Sequence, residues 1–522
     1  MCYNIKVNDS TYQVKWVCAL IFFEGRSLIL GIFAKWRDRC APIRFLVKAQ
    51  KTVWYPVLFA ILCIIGGTHD HTVYIPIMWT LAIFVLFSVL FTDDNKVFLV
   101  PLLMIFFSIG CDTRSDAFVD SNGDMLAFMD ASALTNIILL GTLAVGSFII
   151  RLACDGSIAE AFKRRRLFTV SIIAMDIAFL TNGMFSDKYN IANLGYGALM
   201  AMGFTVVYFI VSGMLTHSED PISYACVTMV ATAYVALLQI MQVAVELHKK
   251  GKFFLFFDAE RFGVDSILIN KDDLALGWGI STVIAAVFVL GIPAAMYLAR
   301  EKKLSLFFYF SSVLFVLGTV IINVRSAMFI GALALIVSMI ICCIKGKNRV
   351  LIRVYTAVFA LLCIIALIAI NYTLVSLSSL VDKVVEILRL GVGVDEARGE
   401  LWANGIEDFK SSPWFGVGFN DGGYADEFRK NNVFSNMYHC IFVEIPGAMG
   451  VVGCIAFLIH IVSLGILFFK RMSVNKLLLL LVPIMIIGMS IVDNFFFYLH
   501  FQIFYGAFVA LAELTHTKEQ TK

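Results

Sequence analysis

Long apolar runs recur from one end of this chain to the other, and short clusters of Lys and Arg punctuate them. Runs near the roughly 17–25 residues that cross a bilayer confine the backbone to helices, because in hydrocarbon every N–H and C=O must be paired within the protein. Of the residues, 60% are hydrophobic and 15% charged. A soluble domain has about 45–50% and about 25%. The sequence therefore predicts an all-α, polytopic transmembrane helical bundle with about fourteen spans. They lie near 53–67, 75–92, 97–110, 134–150, 167–184, 197–215, 223–245, 276–298, 305–323, 326–344, 354–371, 440–469, 477–491 and 495–513. The net charge of +3 argues neither for nor against nucleic acid. The bilayer is the partner that composition demands, and no nucleic-acid partner is expected.

Orientation follows from the loops that hold Lys and Arg. The clusters Arg37–Lys51, Lys163–Arg166, Arg300–Lys303, Lys345–Arg353 and Lys470–Lys476 all fall on the side of both termini, which are read as cytoplasmic. Lys249, Lys250 and Lys252 fall on the other side and run against the scheme. Residues 1–52 form a cytoplasmic segment, and its apolar stretch 17–36 reads as an interfacial helix because Glu24 and Arg26 stand at its middle. The bundle occupies 53–513, and 514–522 is a cytoplasmic tail. The largest outer loop, 371–438, precedes the twelfth span; such loops carry function on a rigid scaffold.

The 12 cysteines show no Cys-x-x-Cys, and most sit inside apolar runs as small hydrophobes. Cys111 and Cys440 lie near loop edges. His69-Asp-His71 reads as a solvated loop, not a metal site. No metal ligand set and no cofactor are expected.

The chemistry-bearing residues gather toward the C-terminal half. Arg325 stands between two spans joined almost without a loop. A guanidinium at that depth is a functional candidate, and its fork suits two phosphate oxygens; snorkelling to lipid headgroups is the competing reading. In the large outer loop, Arg398-Gly-Glu-Leu-Trp402 opens a helix whose Trp402, Ile406 and Phe409 fall near one face. Pro413 ends that helix, and Pro413-Trp-Phe-Gly416-Val-Gly418 follows as a turn in which the glycines permit backbone angles other residues resist. An ion pair of Arg398 with Glu396 or Glu400 is its competing reading. His439 opens the twelfth span, with Gly450 and Gly453 eleven and fourteen residues on. Upstream, Arg261 and the Asn270-Lys-Asp-Asp-Leu-Ala stretch share an outer loop.

This order of an outer Arg, an Arg-x-x-x-Trp helix, a Pro-x-Phe-Gly-x-Gly turn and a His at a span entrance resembles the O-antigen ligase and polymerase family. These are bacterial inner-membrane enzymes that join glycans carried on undecaprenyl diphosphate. The resemblance covers about residues 305–470. The chain departs from the pattern where Val324 replaces the Ser before the outer Arg, where Cys440 stands in place of the Asn that usually follows the His, and where Ala448 stands in place of a common acidic residue. The resemblance implies a metal-independent, inverting glycosyltransferase with an extracytoplasmic site. Arg325, Arg398 and His439 would be catalytic. Arg261, Asn270, Trp402, Gly416 and Gly418 would bind substrate.

The first reading is a polymerase of repeat units for O-antigen, capsule or another surface polysaccharide, preferred because such enzymes serve a wider range of envelopes. The alternative is the ligase that moves a finished lipopolysaccharide chain to the lipid A core. Either would take an undecaprenyl-diphosphate-linked glycan and an acceptor glycan or lipid, with a flippase and a chain-length regulator as possible partners. A transporter of small anions is the reading from another class. It would need paired ionisable groups at mid-membrane, and Asp176, His460 and His500 do not pair in any obvious way.

Overall fold

The computed structural model describes residues 31–67, 71–108, 131–163, 166–249, 269, 274–276, 278–373, 396–419 and 438–518. They form a helical bundle with one two-stranded hairpin, β1 (Ala275–Leu276) and β2 (Gly279–Ile280), paired antiparallel. In chain order the helices are α1 Ala41–Gln50, α2 Trp54–Gly67, α3 His71–Phe91, α4 Leu99–Met104, α5 Ala131–Cys154, α6 Ser157–Lys163, α7 Thr169–Leu180, α8 Ile191–Ala201, α9 Val207–Met214 and α10 Pro221–Lys249. There follow α11 Ser281–Glu301, α12 Ser305–Ile321, α13 Arg325–Ile344, α14 Arg349–Thr373, α15 Glu396–Ser411, α16 Ile441–Phe469, α17 Val474–Met489 and α18 Leu499–Lys518.

Every apolar run singled out in the sequence holds helix. Five helices are long and apolar enough to cross a membrane, or up to seven if each of two bent pairs is one span. Several of the rest are short apolar helices of 10–17 residues. Some runs are also broken inside. A π-helical turn, Met202–Val206, joins α8 to α9, and 3-10 turns flank α4 on both sides. Interruptions of this kind survive at membrane depth when neighbouring protein satisfies the freed backbone groups.

The post of the bundle is α11, buried from Val283 to Arg300. It carries almost no polar side chain, so lipid or protein could cover it; small residues decide for protein. A methyl group on Gly291 would lie 2.8 Å from Ala233 of α10, and one on Gly318 of α12 would lie 2.8 Å from Phe288. Bare backbone at these points lets helices approach closely, which is how helices associate where lipid is as apolar as leucine.

Polar contacts separate the two ends of the bundle. At one end Lys51 pairs with Asp93, Lys96 Nζ reaches Glu219 O at 2.7 Å, Lys302 pairs with Asp220 at 3.1 Å, and Asn348 N donates to Arg300 O. This basic end gathers clusters that lie far apart in the sequence. At the opposite end, Ile269 N donates to Ile321 O, Ile441 N to Ser490 O, and Gly183 N to Phe415 O, each at 2.8 Å.

Candidate functional site

The opposite end holds the break in α16. This helix begins after Cys440 and contains Pro446, but at Gly450 the backbone leaves the helical region with φ 62° and ψ −155°. Helical hydrogen bonds are lost there, and the segment after α15 replaces them. Val417 N donates to Gly447 O and Gly418 N to Ala448 O; Val451 N and Val452 N donate to Pro413 O and Trp414 O. The Pro-Trp-Phe-Gly-Val-Gly turn is thus laid into the broken helix. Gly416 and Gly418 have φ of 67° and 93°. A methyl group on Gly416 would overlap the Ala448 carbonyl, and one on Gly450 would overlap the Trp414 carbonyl. The far side of the turn is held by α7 and α8: Phe419 N donates to Asn182 Oδ1, and Asn182 Nδ2 donates to Asn193 O.

One strained residue leads into α16. His439 has φ 53°, a region that a side chain with a Cβ enters at a cost of about 1–3 kcal/mol. Its neighbours hold it there. Tyr438 is fully buried; its N–H donates to Glu444 Oε2 at 2.8 Å and its hydroxyl to Asp408 Oδ2 at 2.7 Å. On the other side Ile441 N is tied to Ser490 O. The imidazole is 35% exposed. Its Nδ1 lies 3.1 Å from Asp493 Oδ1.

Asp493 is positioned in turn. Asn494 N donates to the same Oδ1 at 2.8 Å, and Asn494 Nδ2 donates to Glu444 Oε2 at 3.1 Å. Glu444 is completely buried, and its Oε1 has no partner among the described residues. Asp408 belongs to α15 and also accepts from Lys188 Nζ at 2.9 Å. A single polar chain therefore runs from Lys188 through Asp408, Tyr438, Glu444 and Asn494 to Asp493 and His439. It locks the outer helix α15 to α16 and to the α17–α18 connection. In the tautomer whose Nδ1 donates to the carboxylate, Nε2 carries the ring's acceptor lone pair.

The other sequence candidates take separate places. Arg325 opens α13 with an exposed side chain, just after Asn323 at φ 58°. Ile330, less than two turns further on, faces Gly488 near the end of α17, and Ser490 beyond it accepts from Ile441. Arg325 and His439 thus lie at the same end of the bundle. The backbone of Arg398 lies in the first turn of α15. Trp402 is half-buried, and its Nε1 has no partner among the described residues. Ile406 is 51% exposed, so α15 buries Gly405 and Asp408, not the stripe through Ile406 that the sequence suggests. Arg261, Asn270, Cys111 and the His69–Asp70 pair lie outside the described residues. Cys440 is a buried free thiol. Among the described residues, no three His, Cys, Asp or Glu side chains are grouped as metal ligands.

The sequence reading passed over Asp493, Glu444, Asp408 and Lys188. A signal for the first two was present: each is a carboxylate inside or beside an apolar run, where an unpaired charge is costly.

Residues 310–458 match the family model described as O-antigen ligase. The match runs from α12 into α16 and includes Arg325, Arg398, Trp402, Gly416, Gly418 and His439, while Asp493 lies beyond it. A comparison with curated proteins gave no match.

Proposed function

We propose, for a chain whose residues 310–458 are a domain of the O-antigen ligase family, that it polymerises undecaprenyl-diphosphate-linked repeat units into a surface polysaccharide. The observation that carries this reading is the half-exposed His439 held by Asp493 within that domain's neighbourhood. His439 Nε2 takes the proton of an acceptor sugar hydroxyl as that oxygen attacks the anomeric carbon. The bond from that carbon to the phosphate oxygen breaks, and its electron pair leaves with undecaprenyl diphosphate. Attack from the face opposite the leaving group inverts the anomeric configuration. Asp493 keeps Nδ1 protonated and stabilises the imidazolium that forms. Arg325 and Arg398 meet the charge that develops on the diphosphate, so the transfer runs without a metal. Trp402, Arg261 and Asn270 contact the glycan or its carrier.

The bundle crosses the bacterial inner membrane about fourteen times, with the basic end and both termini in the cytoplasm and His439 outside. A lipid-borne donor suits that placement, since its diphosphate sits at the membrane face. A flippase delivers the donor, and a chain-length regulator is a further partner. Ligation of the finished glycan to the lipid A core is the second reading, and the family match is compatible with both. Analysis of surface glycan after deletion of the gene separates them. Polymerase loss leaves single repeat units on the acceptor; ligase loss leaves full-length chains on the carrier lipid; unchanged glycan would contradict both.

A further inference from the structure

Helices α13 and α14 are antiparallel neighbours joined at the basic end by the short connection 345–348. Between them lies a cleft of about 730 Å³, the size of a small-molecule site. Ile336, Met339, Ile340, Phe359 and Ala360 make its apolar walls, and Arg353 lines it as its one charged residue. The Arg353 guanidinium is fixed: Nε and Nη2 donate to Cys343 O at 3.1 and 2.8 Å. Two of its five N–H donors are used in this way, and among the described residues no other bond takes the remaining three.

More positive charge surrounds that arginine. Lys345, Lys347 and Arg349 are exposed in the connection and the first turn of α14. Close to this connection, ion pairs join Arg300 to Glu301 and Lys302 to Asp220. Among the described residues none joins a carboxylate to Lys345, Lys347, Arg349 or Arg353. An apolar slot along the halves of α13 and α14 nearest the basic end, topped by cations that no described carboxylate pairs, complements one class of molecule: an anion carrying a hydrocarbon chain. Such cations attract the acidic lipids of the leaflet beside them.

We propose that the α13–α14 cleft binds an anionic glycerophospholipid, with an acyl chain between Ile340 and Phe359 and the phosphate on Arg353. The inference rests on the reading of the chain as a membrane protein and is independent of its glycan chemistry. The site lies at the end remote from His439, so it is no part of the transfer site.

Native mass spectrometry of the purified full-length protein, offered equal phosphatidylglycerol and phosphatidylcholine, tests this. The wild type should retain phosphatidylglycerol in preference. Arg353→Gln should lower its occupancy about fivefold, the contribution of one cation near a lipid surface. Ala360→Phe should empty the cleft. Lys48→Gln, which removes an exposed cation of α1, should change nothing. Equal retention of the two lipids, or undiminished phosphatidylglycerol on Arg353→Gln, would overturn the proposal. So would displacement of the bound lipid by an equimolar polyprenyl phosphate. If Ala360→Phe fails to fold, Arg353→Gln still decides.

Discussion

His439 combines a strained backbone, a half-exposed ring and a carboxylate partner 54 residues away in the sequence. Such backbone strain persists only when the surroundings fix it, and here buried Tyr438 and the Ile441–Ser490 bond do so. The expected result of His439→Ala is a loss of transfer of about 10²–10⁴-fold, the usual worth of a general base, with the protein still inserted. Asp493→Asn should lower kcat more than it raises KM, because it alters a group the substrate does not touch. Steady-state kinetics of both variants check this, and wild-type kcat in Asp493→Asn would remove Asp493 from the account. His439 and Arg325 were legible in the sequence as polar residues at the edges of apolar runs. Asp493 stood out only as a carboxylate beside an apolar run; its pairing with the histidine was not legible, because only the fold brings the two together. Ile406 misled for a related reason: helical periodicity identifies a face, but the Asp408–Tyr438 bond decides which face is buried.

The element on which the site rests is the broken helix α16 with the α15 turn set into it. Apolar length predicted α16 as one uninterrupted span. Its break could not be read from the run itself, since the groups that satisfy it come from Pro413 to Gly418. The sequence did reveal the turn, because only glycine adopts the φ of 67° and 93° at 416 and 418 without strain. Gly450→Ala should therefore destabilise the protein by about 1–3 kcal/mol from backbone strain, and by more through overlap with the Trp414 carbonyl. Gly465→Ala lies in the same helix with open space around it, and should be neutral or stabilising by up to about 1 kcal/mol. Thermal unfolding of the two variants in detergent tests the contrast; equal melting temperatures would mean that the turn does not hold the break.

At the scale of the whole molecule, charge and apolar length made the bundle legible, whereas the bends and breaks within the apolar runs were not. The contacts bring Lys51, Lys96, Lys302 and Asn348 to one end and His439, Asn182 and Ile269 to the other. The positive-inside rule then predicts which end faces the cytoplasm. In a cysteine-depleted chain, Ser186→Cys should react with an impermeant maleimide from outside intact cells, and Lys347→Cys only after lysis. The reverse pattern would invert the topology. The central claim is tested most directly by glycan transfer in proteoliposomes containing purified protein, undecaprenyl-diphosphate-linked donor and acceptor, with a chelator present. The account predicts an inverted glycosidic linkage formed at the wild-type rate despite the chelator, and almost none with His439→Ala. Transfer that needs an added divalent ion, or that continues unchanged in His439→Ala, would contradict it.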